Sequence, residues 1–258
     1  LFFTAIAVGW FLGRRSQGKA TPARDLPGQY YKGLNYLLDG RPDGAVDAFI
    51  NALEVNSETL ETHIALGNLL RKRGEVDRAI RIHQNLLARP SLPRAQVHQA
   101  HLELARDYIS AGLLDRAERL LLDLVAESPA QRRASRWHLM DIYQSEREWQ
   151  QAIDIAAELL PRKSLLGGST SDLTEDDGQA VQVVLAHYYC ELADECHQGG
   201  DLTRARNLLL DALAQDKQCV RASIMLGQVE FDARRFKQAI KALRRVRQQD
   251  PLYISESV

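Results

Sequence analysis

The sequence has few cysteines and no catalytic signature. Three cysteines, Cys190, Cys196 and Cys219, occur in 258 residues, and they lack the paired spacing of a disulfide framework or a C-x-x-C metal site. The phosphate-binding, dinucleotide-binding, nucleophile-elbow and H-E-x-x-H motifs are also missing from the sequence. We therefore expect a reducing compartment, no enzymatic activity, and no metal or other cofactor bound to this chain.

An excess of charge of either sign is missing as well. The chain has 33 Lys plus Arg against 34 Asp plus Glu, a net charge of -1. Without a basic field there is little long-range attraction for a polyanion, so nucleic acid is not an expected partner. With 45% hydrophobic and 26% charged residues, the composition is that of a globular protein with a sizeable core.

The only long apolar run is at the amino end. Residues 1–13, LFFTAIAVGWFLG, carry no charge, and as a helix they would span roughly 20 Å of a ~30 Å bilayer core. We interpret 1–13 as the carboxyl-terminal part of a transmembrane anchor and 14–28 as a basic linker. By the positive-inside rule, the linker would be cytoplasmic. The alternative is a cleaved signal peptide. The basic residues of the linker are Arg14, Arg15, Lys19 and Arg24.

The rest of the chain is repetitive. Six pairs of residues, twelve apart, recur at intervals of 34, 38, 35, 53 and 34, near the 34-residue tetratricopeptide period. The second residue of each pair is alanine, and the first is small in five pairs. Seven residues after the first comes a turn glycine in four copies, replaced by Arg147 or Arg234 in the others. The pairs are Gly33 and Ala45, Gly67 and Ala79, Ala105 and Ala117, Met140 and Ala152, Ala193 and Ala205, and Gly227 and Ala239.

This pattern predicts an all-α fold. We expect a right-handed solenoid of about six tetratricopeptide-type helical hairpins over residues 29–258, preceded by the end of a transmembrane helix. In each hairpin the small pair, such as Gly67 and Ala79, would lie where the two helices approach closely. The alternative is an irregular helical bundle. Residues 161–179, rich in Gly, Ser, Thr and acidic residues, would form an inserted loop that is either flexible or in contact with a partner.

Function is then expected on a surface. In the tetratricopeptide architecture, the first helix of each hairpin lines a groove, and the residue after the first small residue faces into it. The groove would be basic over the second and third units and acidic over the fourth and fifth, which could orient a peptide of mixed charge. The alternative is that these residues are ordinary solvated charges. The predicted partner-binding residues are Asn68, Arg71, Lys72, Arg106, Asp141 and Asp194.

Four segments carry a closer resemblance to a known family. They are GWFLGRRS at 9–16, LGNLLRKRGEVDRAIRIHQNLL at 66–87, AHYYCELA at 186–193 and RASIMLGQV at 221–229. Together they resemble the lipopolysaccharide assembly protein B family of Gram-negative bacteria. The resemblance implies a single-pass inner-membrane protein with repeats on the cytoplasmic side. It also implies a carboxyl-terminal rubredoxin-like domain with an iron or zinc site, whose C-x-x-C pairs this sequence does not contain.

The same resemblance implies a function. It implies an adaptor that regulates lipopolysaccharide synthesis by presenting the lipid A pathway deacetylase to a membrane-bound AAA+ protease. It also implies contacts with other lipopolysaccharide biosynthesis proteins, and with the membrane through the amino-terminal helix. The alternative is a scaffold subunit of an envelope biosynthetic complex, whose activity lies in a missing carboxyl-terminal domain.

Overall fold

The computed structural model describes residues 28–39, 41, 44, 45, 48, 60–88, 92–160 and 175–250. Over these residues all regular secondary structure is helical, which confirms the predicted all-α class. The helices are α1 (Gly28–Leu38), α2 (Leu60–Lys72), α3 (Val76–Leu87), α4 (Arg94–Ser110), α5 (Leu114–Glu127), α6 (Pro129–Glu146), α7 (Trp149–Leu159), α8 (Glu175–Gln198), α9 (Leu202–Gln215), α10 (Val220–Asp232) and α11 (Phe236–Gln249).

The predicted anchor at 1–13 and the linker, up to residue 27, lie outside the described residues. No helix in the described part of the chain is long and apolar enough to cross a membrane.

The chain divides into two compact units, residues 1–66 and 67–258. In the first unit, α1 carries the buried Gly33, and Ala45 and Ala48 are also buried. The guanidinium of Arg41 lies 5.4 Å from the centre of the Tyr36 ring, at the distance of a cation–π contact. Gly33 and Ala45, the first predicted small pair, are therefore both interior.

The second unit is built of consecutive helical hairpins. Each helix from α3 to α11 packs against the next, and α4 also packs on α6, as α8 does on α10. One hydrophobic cluster runs from α4 to α8, and a second runs from α8 to α11. The even-numbered helices α2 to α10 are the first helices of their hairpins, and the odd-numbered α3 to α11 are the second helices.

The small pairs lie at the predicted positions, but the side chain that packs against the glycine is not the alanine of its pair. All twelve positions are buried. However, a Cβ added at Gly67 would lie 2.5 Å from the imidazole ring of His83, and one added at Gly227 would lie 2.6 Å from Leu243. The glycine thus accommodates the side chain sixteen residues later, one helical turn beyond the alanine of its pair.

The turns inside the hairpins repeat one geometry. In each hairpin turn of the second unit, a residue with positive φ ends the first helix, and the next N–H donates to a carbonyl five residues earlier, as Glu75 does to Leu70 at 2.9 Å. This is the Schellman arrangement, which glycine favours because it lacks a Cβ. Arg147 (φ 60°) and Arg234 (φ 58°), which stand at the position of the turn glycine in the repeat, adopt the same conformation. The glycines are Gly74, Gly112 and Gly200.

The predicted loop at 161–179 is shorter than expected at its carboxyl end. Residues 161–174 lie outside the described part, but α8 begins at Glu175. The sequence Glu-Asp-Asp-Gly-Gln is therefore helical. Composition predicts that a loop is present but does not fix the residue at which the following helix begins.

Candidate functional site

The six predicted groove residues lie on the first helices of the second unit, and we call this surface the first-helix face. Lys72 and Asp141 are exposed, while Asn68, Arg106 and Asp194 are half-buried. The Arg71 side chain retains only 16% of its accessible surface. These differences in exposure separate residues that are held in hydrogen-bond networks from charged residues that face the solvent.

Arg71 lies in a network of hydrogen bonds instead of projecting into solvent. One terminal nitrogen donates to the carboxylate of Asp107 at 2.6 Å, and the other donates to Glu103 at 2.9 Å and to the side-chain oxygen of Asn68 at 2.7 Å. Glu103 also accepts from Arg106 at 2.6 Å. Charge-assisted bonds of this length are among the stronger polar contacts in proteins. Of the cations predicted to make the second and third units basic, Arg71 and Arg106 are therefore balanced by carboxylates of the described residues, whereas Lys72 is not.

His83 extends this network into the core. Its Nδ1 lies 2.5 Å from Oδ2 of Asp107, and neither side chain has exposed surface. Its Nε2, directed at the backbone of Gly67, has no hydrogen-bond partner among the described residues. A buried carboxylate is costly unless it is paired and hydrogen-bonded, and Asp107 meets both conditions through Arg71 and His83. Asp107, with Arg71 and His83, therefore links α2, α3 and α4. We call these three residues the Asp107 node.

Similar polar contacts link each first helix to the next, and we call the set the inter-repeat ladder. In each contact, side chains from successive first helices form a hydrogen bond or an ion pair. The ladder ties the hairpins together and neutralises much of the first-helix face. Its members are Arg71 with Glu103 and Asp107, Arg106 with His138 (3.0 Å), Gln144 with Tyr188 (3.0 Å), Glu191 with Arg221 (2.6 Å), and His197 with Asp232 (2.8 Å).

Asp141 is an exposed carboxylate of the first-helix face that forms no ion pair with the described residues. Although the side chain of Asp141 is exposed, neighbouring residues remove part of its hydration, which raises its pKa, while nearby His138 opposes the shift. Burial, together with the negative charge of Asp141, raises the pKa of Tyr188 to about 12. No ion pair to Asp141 or to Lys72 is found among the described residues, and Asp194 accepts only from Gln198 of its own helix, at 2.7 Å. These three charges remain available to a partner.

Sequence reasoning missed Glu103, Asp107 and His83. A signal was present, because Glu103 and Asp107 interrupt the apolar run of α4 at a spacing of four, on one side of the helix. His83 also occupies the position that is phenylalanine in the first unit, Phe49. Polar residues at interior positions predict a buried partner, although not its identity.

The described residues contain no group of three or more His, Cys, Asp or Glu side chains arranged to hold a metal ion. The half-buried Cys196 packs against the second hydrophobic cluster, to which the buried Cys190 and Cys219 belong. The site is therefore a polar protein surface made of stacked helices.

Comparison with known proteins agrees with this architecture. Family models described as tetratricopeptide repeat match residues 62–94 and 191–254. Together with the helical hairpins and their small-residue register, these matches define the chain as a tetratricopeptide-repeat protein.

Among curated proteins, the chain is similar to lipopolysaccharide assembly protein B. It is 43% identical to that protein of Escherichia coli (strain K12) over 256 residues, and 36% identical to that of Haemophilus influenzae over 262 residues. Each match covers 98% of this chain and 62% of the relative. The family resemblance seen in the sequence is thereby confirmed, and the chain spans less than two thirds of the length of these relatives.

Solved structures with a similar arrangement include a MamA protein and a Podospora anserina putative kinesin light chain with tetratricopeptide-like repeats. The MamA structure has a TM-score of 0.46 at 18% identity and covers 78% of this chain and 96% of its own. The kinesin light chain has a TM-score of 0.43 at 21% identity and covers 76% of this chain and 97% of its own.

Proposed function

We propose that this chain is the repeat region of a membrane-tethered adaptor that regulates lipopolysaccharide synthesis. The observation that carries the proposal is its 43% identity, over 98% of its length, to proteins named lipopolysaccharide assembly protein B. In this role it presents the lipid A pathway deacetylase to a membrane-bound AAA+ protease. It acts on the cytoplasmic side of the bacterial inner membrane, anchored through a helix that includes residues 1–13, and it is not itself an enzyme.

The first-helix face is the surface we propose for the client. Its ladder holds Arg71 and Arg106 in place, so these residues shape the face more than they offer charge. Lys72 at one end, with Asp141 and Asp194 further along, are the charges that a client segment could meet. Such charges govern orientation and association rate more than affinity, so a client of mixed charge would bind in one direction.

Affinity purification from detergent-solubilised membranes tests the adaptor role. The full-length protein, tagged at one end, should copurify both the protease and the deacetylase, and its deletion should lengthen the half-life of the deacetylase. If neither protein copurifies and the half-life is unchanged, the proposed adaptor role is wrong. Loss of an envelope enzyme complex with an unchanged half-life would instead support the scaffold function.

A charge-swapped variant tests the face. We expect Lys72→Glu combined with Asp141→Lys to leave folding intact, because both side chains are exposed, and to reduce recovery of the deacetylase. Arg81→Glu combined with Asp154→Lys changes the same charges at exposed positions on the second helices α3 and α7 and is the matched control. If both variants recover the same amount of deacetylase, the first-helix face is not the surface that binds it.

A further inference from the structure

The last second helix, α11, has a charge unlike that of the second helices before it. It contains Lys237, Lys241, Arg244, Arg245 and Arg247 and no acidic residue. In contrast, α7 contains two acidic residues and no Lys or Arg, and in α5 the acidic residues outnumber the arginines. The chain as a whole is nearly neutral, so this basic character is a local property of one end of the second-helix face.

A groove lies between α9 and α11, with α10 beneath it. Its main cavity has a volume of about 430 Å³, and an adjoining cavity of about 300 Å³ continues along α11. Leu226 and Ala242 contribute to its apolar floor, and Leu210, which is 40% exposed, lies at its edge. This surface has the form of a shallow site for an apolar side chain.

The rim of the groove is positively charged. Lys241, Arg244 and Arg245 line the main cavity, are exposed, and have no ion pair among the described residues. The one acidic residue of the lining, Glu230, is buried and already accepts from Arg206 at 2.7 Å and from Arg235. The three rim cations therefore keep their charge available, unlike Arg71 and Arg106 on the first-helix face.

We propose that the groove between α9 and α11 binds an acidic segment of a partner protein, with an apolar side chain of that segment packed over Leu210 and Leu226. Carboxylates flanking the apolar residue would then meet Lys241, Arg244 and Arg245. The groove favours a protein segment over a bilayer surface, because a flat anionic surface would contact the outer cations without reaching the recessed floor. This inference concerns the second-helix face and does not depend on the proposed adaptor function.

A peptide-binding experiment with the full-length protein tests the proposal. The probe is a fluorescein-labelled peptide of Glu and Asp with leucine at every third or fourth position, about as long as the 14 residues of α11. The first variant is Lys241→Glu with Arg244→Glu and Arg245→Glu. Its matched control is Arg81→Glu with Arg119→Glu and Arg204→Glu, which makes the same change in net charge at exposed helical positions elsewhere. Circular dichroism and melting curves establish that each variant is folded.

We expect the groove variant to lose affinity about tenfold, because three exposed ion pairs are replaced by like-charge contacts, and the control to change far less. Leu210→Ser, which alters no charge, should also weaken binding several-fold, as should replacing the peptide leucines by serine. Equal losses in the groove variant and the control, or no effect of Leu210→Ser, would overturn the proposal. Binding of vesicles containing phosphatidylglycerol without binding of the peptide would overturn it in favour of a lipid surface.

Discussion

The imidazole Nδ1 of His83 lies 2.5 Å from Oδ2 of Asp107, and both side chains are fully buried. The second oxygen of Asp107 accepts from Arg71 at 2.6 Å, so one carboxylate joins three helices. Removing one partner of a buried charged group leaves the other uncompensated, which costs more than the pair contributes in net stability. Substitution of Arg71, His83 or Asp107 should therefore lower the stability of the fold, although Arg71 borders the first-helix face.

Arg71→Glu tests the Asp107 node directly. It removes the cation and places a third carboxylate beside Glu103 and Asp107, so we expect the free energy of unfolding to fall by about 3 kcal/mol or more. The measurement is urea denaturation followed by circular dichroism. Lys72→Glu is the matched control, because Lys72 is the next residue but is exposed, and it should change stability by less than ~0.5 kcal/mol. Similar, small effects of both substitutions would contradict the network.

Gly67→Ala should destabilise the protein, although alanine is the better helix former. The added Cβ would lie 2.5 Å from the His83 ring, and overpacking of this kind costs about 1–3 kcal/mol. A Cβ added at Gly178, within α8, would meet no atom within 4 Å, so Gly178→Ala should instead stabilise by roughly 0.5–1 kcal/mol. Thermal and urea unfolding of both variants provide the comparison, and a stabilising Gly67→Ala would mean that the two helices are further apart.

The register of the hairpins could be predicted from sequence because its causes are local. The small pairs are buried at a fixed spacing of twelve, and the left-handed turn residue follows at a fixed distance, so even Arg147 and Arg234 could be placed. The residue packed against Gly67 could not be identified in this way. That role depends on the rotation of α3 about its axis, which brings His83 rather than Ala79 against the glycine.

The charges of the first-helix face were harder to predict because the inter-repeat ladder is not periodic. Its contacts join residues separated by 30 to 44 positions, and they depend on how one hairpin stacks on the next. From spacing alone, Arg71 and Arg106 were indistinguishable from exposed cations such as Lys72. Only the stacked arrangement shows that Glu103 and Asp107 balance them.

Arg234→Gly should stabilise the protein. Arg234 has φ 58°, a left-handed conformation that costs an L-residue with a Cβ roughly 1 kcal/mol and glycine little, and its side chain is exposed. We expect the free energy of unfolding to rise by about 0.5–1 kcal/mol, measured by urea denaturation. Arg204→Gly, at an exposed helical position of α9, should lower stability by about 1 kcal/mol. Loss of stability with Arg234→Gly would indicate that a contact of the Arg234 side chain stabilises the protein by more than the left-handed conformation costs.

The contact between Arg106 and His138 should make stability depend on pH. Nε of Arg106 donates to Nε2 of His138 at 3.0 Å, which requires a neutral imidazole acceptor. Burial, and then the positive charge of Arg106, lowers the pKa of His138 from its ordinary value of 6.5, with Arg71 adding to the shift and Asp141 and Glu103 opposing it. Between its folded and unfolded pKa values, the unfolded state therefore binds more protons.

Stability should accordingly rise with pH through this window, because the state that binds more protons is favoured in acid. The contribution of His138 is present above pH 6.5 and is lost as the pH falls toward its folded pKa. We expect the difference in unfolding free energy between pH 7 and pH 5, measured by urea denaturation, to be smaller in His138→Gln than in the native sequence. His187→Gln, at an exposed position of α8, controls for the removal of a histidine. If His138→Gln and the native sequence show the same pH dependence, the imidazole is not held neutral by Arg106.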